Sequence, residues 1–194
     1  MQLALPARIP PEARSVTLDE WSRLPEDEPA EWVDGWLVES EVPDWVHETI
    51  VVWLVAQIKG WARAHEARVA ASGVRYAVTA TRGRAPDLSV FLDGRRPPPK
   101  GLVRIPADVM IEVISDASSD VRRDRVEKLS EYAQFGVRWY WLVDPQLRTL
   151  EILELRAGVY AHVGAAASGL VEAIPGFPDL SLDLDALWAD VDAL

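Results

Sequence analysis

The chain has 194 residues, a formal net charge of −11 and no cysteine, and its longest apolar run is far shorter than the roughly 20 residues that cross a bilayer. These properties exclude disulfides, thiolate metal sites and membrane-spanning helices, and they argue against binding of nucleic acid by bulk positive charge. We expect one globular domain over residues 1–194, located in the cytoplasm because the first residues lack a signal-peptide pattern.

The N-terminal third is predicted to form a short helix, a hairpin and a long helix. Thr17 begins a capping-box pattern that opens a helix through Leu24. Residues 31–38 read as two short strands around an Asp-Gly turn. Asp44 can cap a helix in which apolar residues recur at helical spacing over 46–61, so this helix should lie across a sheet.

The remainder alternates strands with one further helix. A cap at Ser118 or Ser119 is expected to open a helix over 121–135, which stops at Gly136. Strands are predicted over residues 68–80 with a turn at 72–73, and over 87–92, 109–115, 138–143, 149–155, 160–163 and 170–174. A short segment holding Trp188 closes the chain. This order indicates an α/β (α+β) fold, with a mixed central β-sheet flanked by helices.

Glu112 lies in the middle of the apolar strand VMIEVIS, residues 109–115. Alternation places Met110, Glu112 and Ile114 on one face of that strand, and both faces are otherwise apolar. An unpaired carboxylate there would cost several kcal/mol or take up a proton. Glu112 therefore needs compensation, which could be an arginine, a strand end open to water, or a divalent cation.

Asp87 is the second acid that could share such a cation. It follows Pro86 and directly precedes a strand, whereas the two other Pro-Asp pairs of the chain, at 43–44 and 178–179, are not followed by one. If the two strands are neighbours, Asp87 and Glu112 can converge on a hard cation such as Mg²⁺, with Mn²⁺ as a substitute.

This pattern resembles the PD-(D/E)XK nuclease superfamily, and five segments resemble, in order, the Uma-two (Uma2) family of bacterial endonucleases within it. These segments are EWVDGWLVE, APDLSVF, MIEVIS, DRVEKLSEYAQFGVRWYWLVDP and PGFPDLSLDLDAL. The resemblance implies a restriction-endonuclease-like fold and Mg²⁺-dependent hydrolysis of phosphodiester bonds in DNA by a homodimer. It also implies that Asp87 and Glu112 hold the metal.

The chain departs from the superfamily pattern at Ile114, where a lysine is expected two residues after the glutamate. The resemblance implies that Lys128, within the family-like segment EKLSEYAQFGV, supplies the missing ammonium. The alternative is a surface ion pair between Lys128 and Asp124, four residues apart on one helix. The missing lysine and the negative net charge also leave open a second alternative. In it, the protein has the nuclease fold but little or no catalytic activity and acts as a binding or regulatory module. A scaffold with a purely internal ion-pair network is a third alternative.

Several further residues are weaker candidates for the site. Three arginines flank the acids and could contact a phosphate backbone. Ser115 could position a ligand or merely begin a turn. Two other residues could be accessory groups of the site or ordinary polar residues on a solvated face. The arginines are Arg84, Arg122 and Arg125, and the two accessory candidates are Glu31 and His47.

Overall fold

The computed structural model describes residues 13–25, 28, 30–39, 43–115 and 121–194, so the predicted helix cap at Ser118 or Ser119 lies outside the described residues. The helices are α1 (Leu18–Ser22), α2 (Trp45–Ala62), α3 (Leu129–Phe135) and α4 (Leu184–Asp192), and a π-helical segment, Arg123–Lys128, leads directly into α3. No helix among the described residues is long and apolar enough to span a membrane.

The strands form two main sheets. They are β1 (Ala30–Val33), β2 (Trp36–Glu39), β3 (Arg68–Ala71), β4 (Tyr76–Thr79), β5 (Arg82–Arg84), β6 (Leu88–Phe91), β7 (Val109–Val113), β8 (Trp139–Asp144), β9 (Thr149–Arg156), β10 (Val159–Ala166), β11 (Leu170–Val171) and β12 (Leu182–Asp183). The central sheet has the order β10-β9-β8-β7-β6-β3, and the small sheet has the order β2-β1-β5-β4. Strands β11 and β12 pair separately.

The mixed central sheet confirms the predicted fold class. Its described strand pairs are antiparallel, except that β7 and β8 are parallel. In the chain, the π segment and α3 lie between these two strands. The predicted caps of α1 at Thr17 and of α2 at Asp44 are both present, although α1 ends before Leu24. The predicted turn at 72–73 separates β3 from β4, which belong to different sheets, and the predicted strand over 170–174 shortens to β11.

Strand β7 is buried on both sides because a helix covers each face of the central sheet. Ile50, Leu54 and Ile58 of α2 belong to the same core cluster as the β7 residues at 109, 111 and 113. On the other face, Met110 packs in a second cluster that includes Tyr132 of α3. Glu112 therefore points into the layer between the sheet and α3, as its alternation with Met110 predicts.

The small sheet is held in place by Trp21 of α1. Its side chain is fully buried, and its indole N–H donates to the carbonyl oxygen of Ala30 at 2.7 Å. The Arg75 guanidinium donates to the carbonyl oxygens of Trp21 and Leu24 and so fixes the end of α1. This packing matters for the site because the small sheet carries Glu31 and Arg84.

We expect Gly83→Ala to loosen this packing. A methyl group on Gly83 would lie within 2.7 Å of Trp21 Cη2, and the buried indole has no space to move away. Overpacking of this kind costs about 1–3 kcal/mol, so the free energy of unfolding measured in urea should fall by that amount.

Gly164→Ala is the matched control. A methyl group there would be 3.9 Å from Ile152 Cβ, an ordinary van der Waals contact, and alanine is intrinsically better than glycine in a strand. Equal losses in the two variants would rule out the Trp21 contact as the cause.

Candidate active site

Asp87 immediately precedes β6, and Glu112 lies in the neighbouring strand β7. β6 pairs antiparallel with β7 so that Leu88 faces Ile111, and one further step along this register sets Asp87 across from Glu112. Directly opposed residues of an antiparallel pair point to the same side of a sheet. The backbone N–H of Val113 donates to Asp87 Oδ2 at 2.7 Å, which fixes the aspartate at the start of its strand. The structure thus brings the two predicted acids together.

Lys128 lies beside these acids, as the family resemblance implies. Its side chain is 4% exposed, and its Nζ is 2.9 Å from Glu112 Oε2, 3.0 Å from Asp124 Oδ1 and 3.4 Å from Glu31 Oε1. The Tyr132 hydroxyl donates to the other oxygen of Glu112 at 2.6 Å. The alternative of an Asp124–Lys128 pair on the surface is therefore wrong, because both side chains are buried.

Glu31 enters the same cluster from the small sheet. Its side chain is 3% exposed, so the expectation of an ordinary residue on a solvated face is wrong. Arg84 is equally buried, and three of its nitrogen atoms donate to Glu31 and Glu131. Arg84 was a candidate for phosphate binding, but these internal contacts and its burial keep it from facing a DNA backbone. It instead ties the small sheet to α3.

His47 approaches Asp87 from the first turn of α2. Its Nε2 lies 3.3 Å from Asp87 Oδ2, and its side chain is 13% exposed, so the solvated-face alternative does not describe it. Burial by itself would lower the pKa of His47, but the hydrogen bond to Asp87 and the charges of Asp87, Glu48 and Glu112 raise it. The imidazole thus contacts the same Asp87 oxygen that accepts from the Val113 N–H.

The remaining predicted residues lie at different depths. Arg122 is exposed and reaches Glu127 at 3.5 Å. Arg125 donates to Asp144 at 2.9 Å and to Glu151 at 2.7 Å, so it joins the π segment to β8 and β9 rather than facing the acids. Ser115 lines the same cleft as Asp87 and Glu112.

These side chains open on a cleft of about 830 Å³. Its polar lining includes Glu31, His47, Asp87, Glu112, Asp124 and Lys128. Among the described residues, no three acidic or histidine side chains form a ready set of metal ligands. Two neighbouring carboxylates still suit a hard cation, since each carboxylate keeps lone pairs beyond those that its present contacts use, and water or substrate oxygens can complete the coordination.

The pKa values of two acids in the cluster are shifted in opposite directions. Burial raises the pKa of Glu112 to about 8; Lys128 opposes this rise, while the charges of Asp87, Asp124 and Glu31 add to it. Burial would also raise the pKa of Glu31, but Arg84, Lys128 and Arg123 outweigh it and lower that pKa to about 2. The pKa of Glu31 is thus low and that of Glu112 high because Glu31 has two arginines beside it, Arg84 and Arg123.

Lys128 is a permanent cation in this setting. Burial alone would lower its pKa, but Asp124, Glu112 and Glu31 raise it above the usual value. An ammonium that keeps its proton cannot take one from water, so Lys128 can act on a reaction only through its charge and its hydrogen bonds.

Sequence analysis missed the contribution of Tyr132 and Glu131 to the site. The spacing of Asp124, Lys128 and Tyr132 at four-residue steps was the available signal for Tyr132, because it puts all three on one side of a helix. For Glu131 we find no comparable signal, since its partner Arg84 is 47 residues away in the chain.

Comparisons with known proteins agree with this architecture. Residues 17–185 match the model of the family Uma2, described as "Putative restriction endonuclease". A solved structure, described as a "putative nuclease belonging to DUF820 from Anabaena variabilis", is similar with a TM-score of 0.71 and 23% sequence identity; the match covers 91% of this chain and 99% of that chain. The structural likeness shows a shared fold. No curated protein matches the sequence.

We expect Glu112→Gln to become more stable relative to the wild type as the pH rises from about 5 to 8. The pKa of Glu112 is about 8 in the folded protein, against an ordinary value of 4.5 that applies to the unfolded chain. In this window the folded wild type binds more protons than the unfolded chain, so its stability falls with pH, by at most about 1.4 kcal/mol per pH unit from this group. Glutamine carries no titratable proton and escapes this loss.

Urea unfolding without divalent ions at several pH values measures the difference. The control is Glu172→Gln, an exposed position, which should follow the wild type throughout. A stability difference between Glu112→Gln and the wild type that stays constant with pH would contradict the raised pKa.

We expect Lys128→Met to cost about 3–5 kcal/mol of unfolding free energy, because it leaves Glu112, Asp124 and Glu31 without their shared cation. Adding Glu112→Gln should restore part of the loss, since one uncompensated carboxylate is then removed. Lys59→Met, at an exposed position of α2, should change stability by less than about 0.5 kcal/mol. A loss at Lys128 no larger than that at Lys59 would refute the role of the ammonium in stability.

Proposed function

Because the chain belongs to the Uma2 family, described as "Putative restriction endonuclease", we propose that it is a metal-dependent endonuclease that hydrolyses phosphodiester bonds in DNA. The family supports a nuclease, and the metal and the DNA substrate are our proposals. The observation that carries them is the opposition of Asp87 and Glu112 across β6 and β7, beside a buried ammonium and at the wall of one cleft.

Asp87 and Glu112 would hold Mg²⁺, or Mn²⁺ in its place. When bound, such a cation polarises the phosphate and lowers the pKa of a coordinated water. The Val113 N–H and His47 orient the Asp87 carboxylate, while the Tyr132 hydroxyl and Lys128 orient that of Glu112. Both carboxylates are therefore held before a substrate arrives, which reduces the reorganisation that the reaction requires.

Lys128 would stabilise the negative charge that grows on the phosphate oxygens. The charge is useful there because the side chain is buried, and electrostatic interactions are stronger in a poorly solvated site. Since Lys128 keeps its proton, it would also orient the attacking water by turning one N–H toward it from its longest contact, that with Glu31 at 3.4 Å. This assigns to Lys128 the part that the superfamily pattern gives to the lysine two residues after the glutamate.

A weakly active or inactive binding module is the second candidate function. The favouring observation is Ile114, which occupies the expected lysine position and is 2% exposed within the core cluster of Met110 and Tyr132. Such a module would bind nucleic acid without a calorimetric signal for Mg²⁺, whereas magnesium binding that is lost in Asp87→Asn would identify the enzyme.

We further propose that the protein acts in the cytoplasm as a homodimer. A two-fold arrangement of subunits matches the two-fold symmetry of a cut through both strands of duplex DNA.

We expect Asp87→Asn and Glu112→Gln each to lower the rate of cleavage of plasmid or single-stranded DNA by at least about a hundredfold in Mg²⁺ or Mn²⁺. A metal contributes several kcal/mol to stabilisation of a phosphoryl transition state, and 1.4 kcal/mol is a factor of about ten. Cleavage is followed on gels over time, and circular dichroism checks that the variants are folded.

Asp179→Asn is the matched control, because it changes the same residue type after a proline at an exposed position outside the cleft. It should cleave like the wild type. Undiminished cleavage by both site variants would refute the proposed active site.

A further inference from the structure

Several cations that the active site does not use line two adjoining hollows. Seven cations are exposed and make no ion pair within the part of the chain that the structure describes; Arg104 and Arg138 line neither hollow, and the other five do. These five are Lys59, Arg63, Arg68, Arg96 and Lys100. The three arginines that were predicted to contact phosphate behave differently, since Arg84, Arg122 and Arg125 all pair with carboxylates. In a chain of net charge −11, a surface of unpaired cations needs an explanation.

Three of these cations line a groove of about 680 Å³, which we name the basic groove. Arg68, Arg96 and Lys100 surround it together with Arg75, and none of the described residues that line it is acidic. The three prolines at 97–99 form one wall, and their fixed φ angles keep that wall stiff. An adjoining hollow shares Arg68 and Arg96 and adds Lys59, Arg63 and one acid, Glu66.

The basic groove adjoins the active-site cleft. Gly73, Val74 and Arg75, which follow β3, line both cavities. Arg75 is anchored by its hydrogen bonds to the carbonyl oxygens of Trp21 and Leu24, so this shared border is a fixed part of the fold. A chain-like ligand that leaves the acids over this border enters the basic groove.

Strand β3 forms a further side of the basic groove. It is the edge strand of the central sheet, with β6 on one side only, so its outward backbone N–H groups have no strand partner among the described residues. Backbone N–H groups and arginines are among the usual donors to phosphate oxygens in nucleic-acid complexes. The four residues of β3 span roughly 13 Å, which is the length of about four nucleotide steps along one strand of duplex DNA.

We propose that the basic groove binds the phosphate backbone of the DNA strand that is cut, on one side of the scissile bond. The identity of the ligand rests on the proposed function, whereas the location rests on the charges and the shared border. The overall charge of the protein repels DNA, so affinity has to come from a local row of cations that displaces counterions. An extended peptide pairing with the edge of β3 would use the backbone of this strand but would not need the three cations.

The test measures DNA binding by fluorescence anisotropy in a Glu112→Gln background, which prevents cleavage during the measurement. The groove variant carries Arg68→Gln, Arg96→Gln and Lys100→Gln. The control variant carries Arg138→Gln, Arg148→Gln and Arg156→Gln, which are exposed positions that line neither cavity. Both sets change the net charge equally, so a difference between them reports position rather than total charge.

We expect the groove variant to bind a labelled 20-residue oligonucleotide at least about tenfold more weakly than the control near 0.1 M salt. Its plot of log affinity against log salt concentration should be shallower by about one unit for each phosphate that the groove no longer binds. A tetranucleotide with only two nucleotides on each side of the scissile bond should distinguish the two variants less than the long oligonucleotide does, because fewer of its phosphates extend past the shared border at 73–75.

Equal affinities of the groove and control variants for the long oligonucleotide would overturn the proposal, and so would retained binding whose salt dependence is unchanged. Failure of the proposed function gives a different result. If the protein with Glu112 intact cleaves no DNA in Mg²⁺ or Mn²⁺, yet the groove variant loses DNA binding, then the catalytic proposal fails and the basic groove stands. If DNA is cleaved but the groove variant binds it like the control, then the catalytic proposal stands and the basic groove fails.

Discussion

The ammonium of Lys128 is the interaction on which the candidate site depends. It is within 3.4 Å of three carboxylates, and Glu112, Asp124 and Glu31 come from three different elements: β7, the π segment and β1. Bringing three buried acids together without a cation would be prohibitive in a poorly solvated interior. A single side chain therefore allows the central sheet, the helical layer and the small sheet to meet at one point.

The position of the cation also explains how β7 can be almost wholly apolar. With isoleucine at 114, the strand contributes an additional hydrophobic side chain to the cluster beneath α3. Lys128, in the helical layer, supplies the positive charge that a lysine at 114 would have carried. Tyr132, one helical turn further on, donates a hydrogen bond to the second carboxylate oxygen of Glu112. The strand provides the acid, and the π segment with α3 provides its partners.

Local patterns predicted much of this arrangement. Alternation in 109–115 placed Glu112 on the face of Met110, and capping residues located the starts of α1 and α2. The burial of Arg84 and Glu31 could not be predicted in the same way, because it results from an ion pair between residues 53 positions apart. The split of 68–80 into two sheets likewise depends on which partners each half meets. The spacing of apolar residues over 121–135 predicts a helix but does not show that Arg123–Lys128 is π-helical rather than α-helical.

The connection from β7 through the π segment and α3 to the parallel strand β8 has a consequence for assembly. Glu112, Lys128 and Tyr132 all belong to this one continuous stretch of chain, whose ends pair directly at Val109 and Trp139. Contacts within a short stretch lose little chain entropy on closing, so this unit can associate early as the chain folds. Glu31 and Arg84 belong to the small sheet, so the charge cluster is complete only in a molecule in which that sheet is docked.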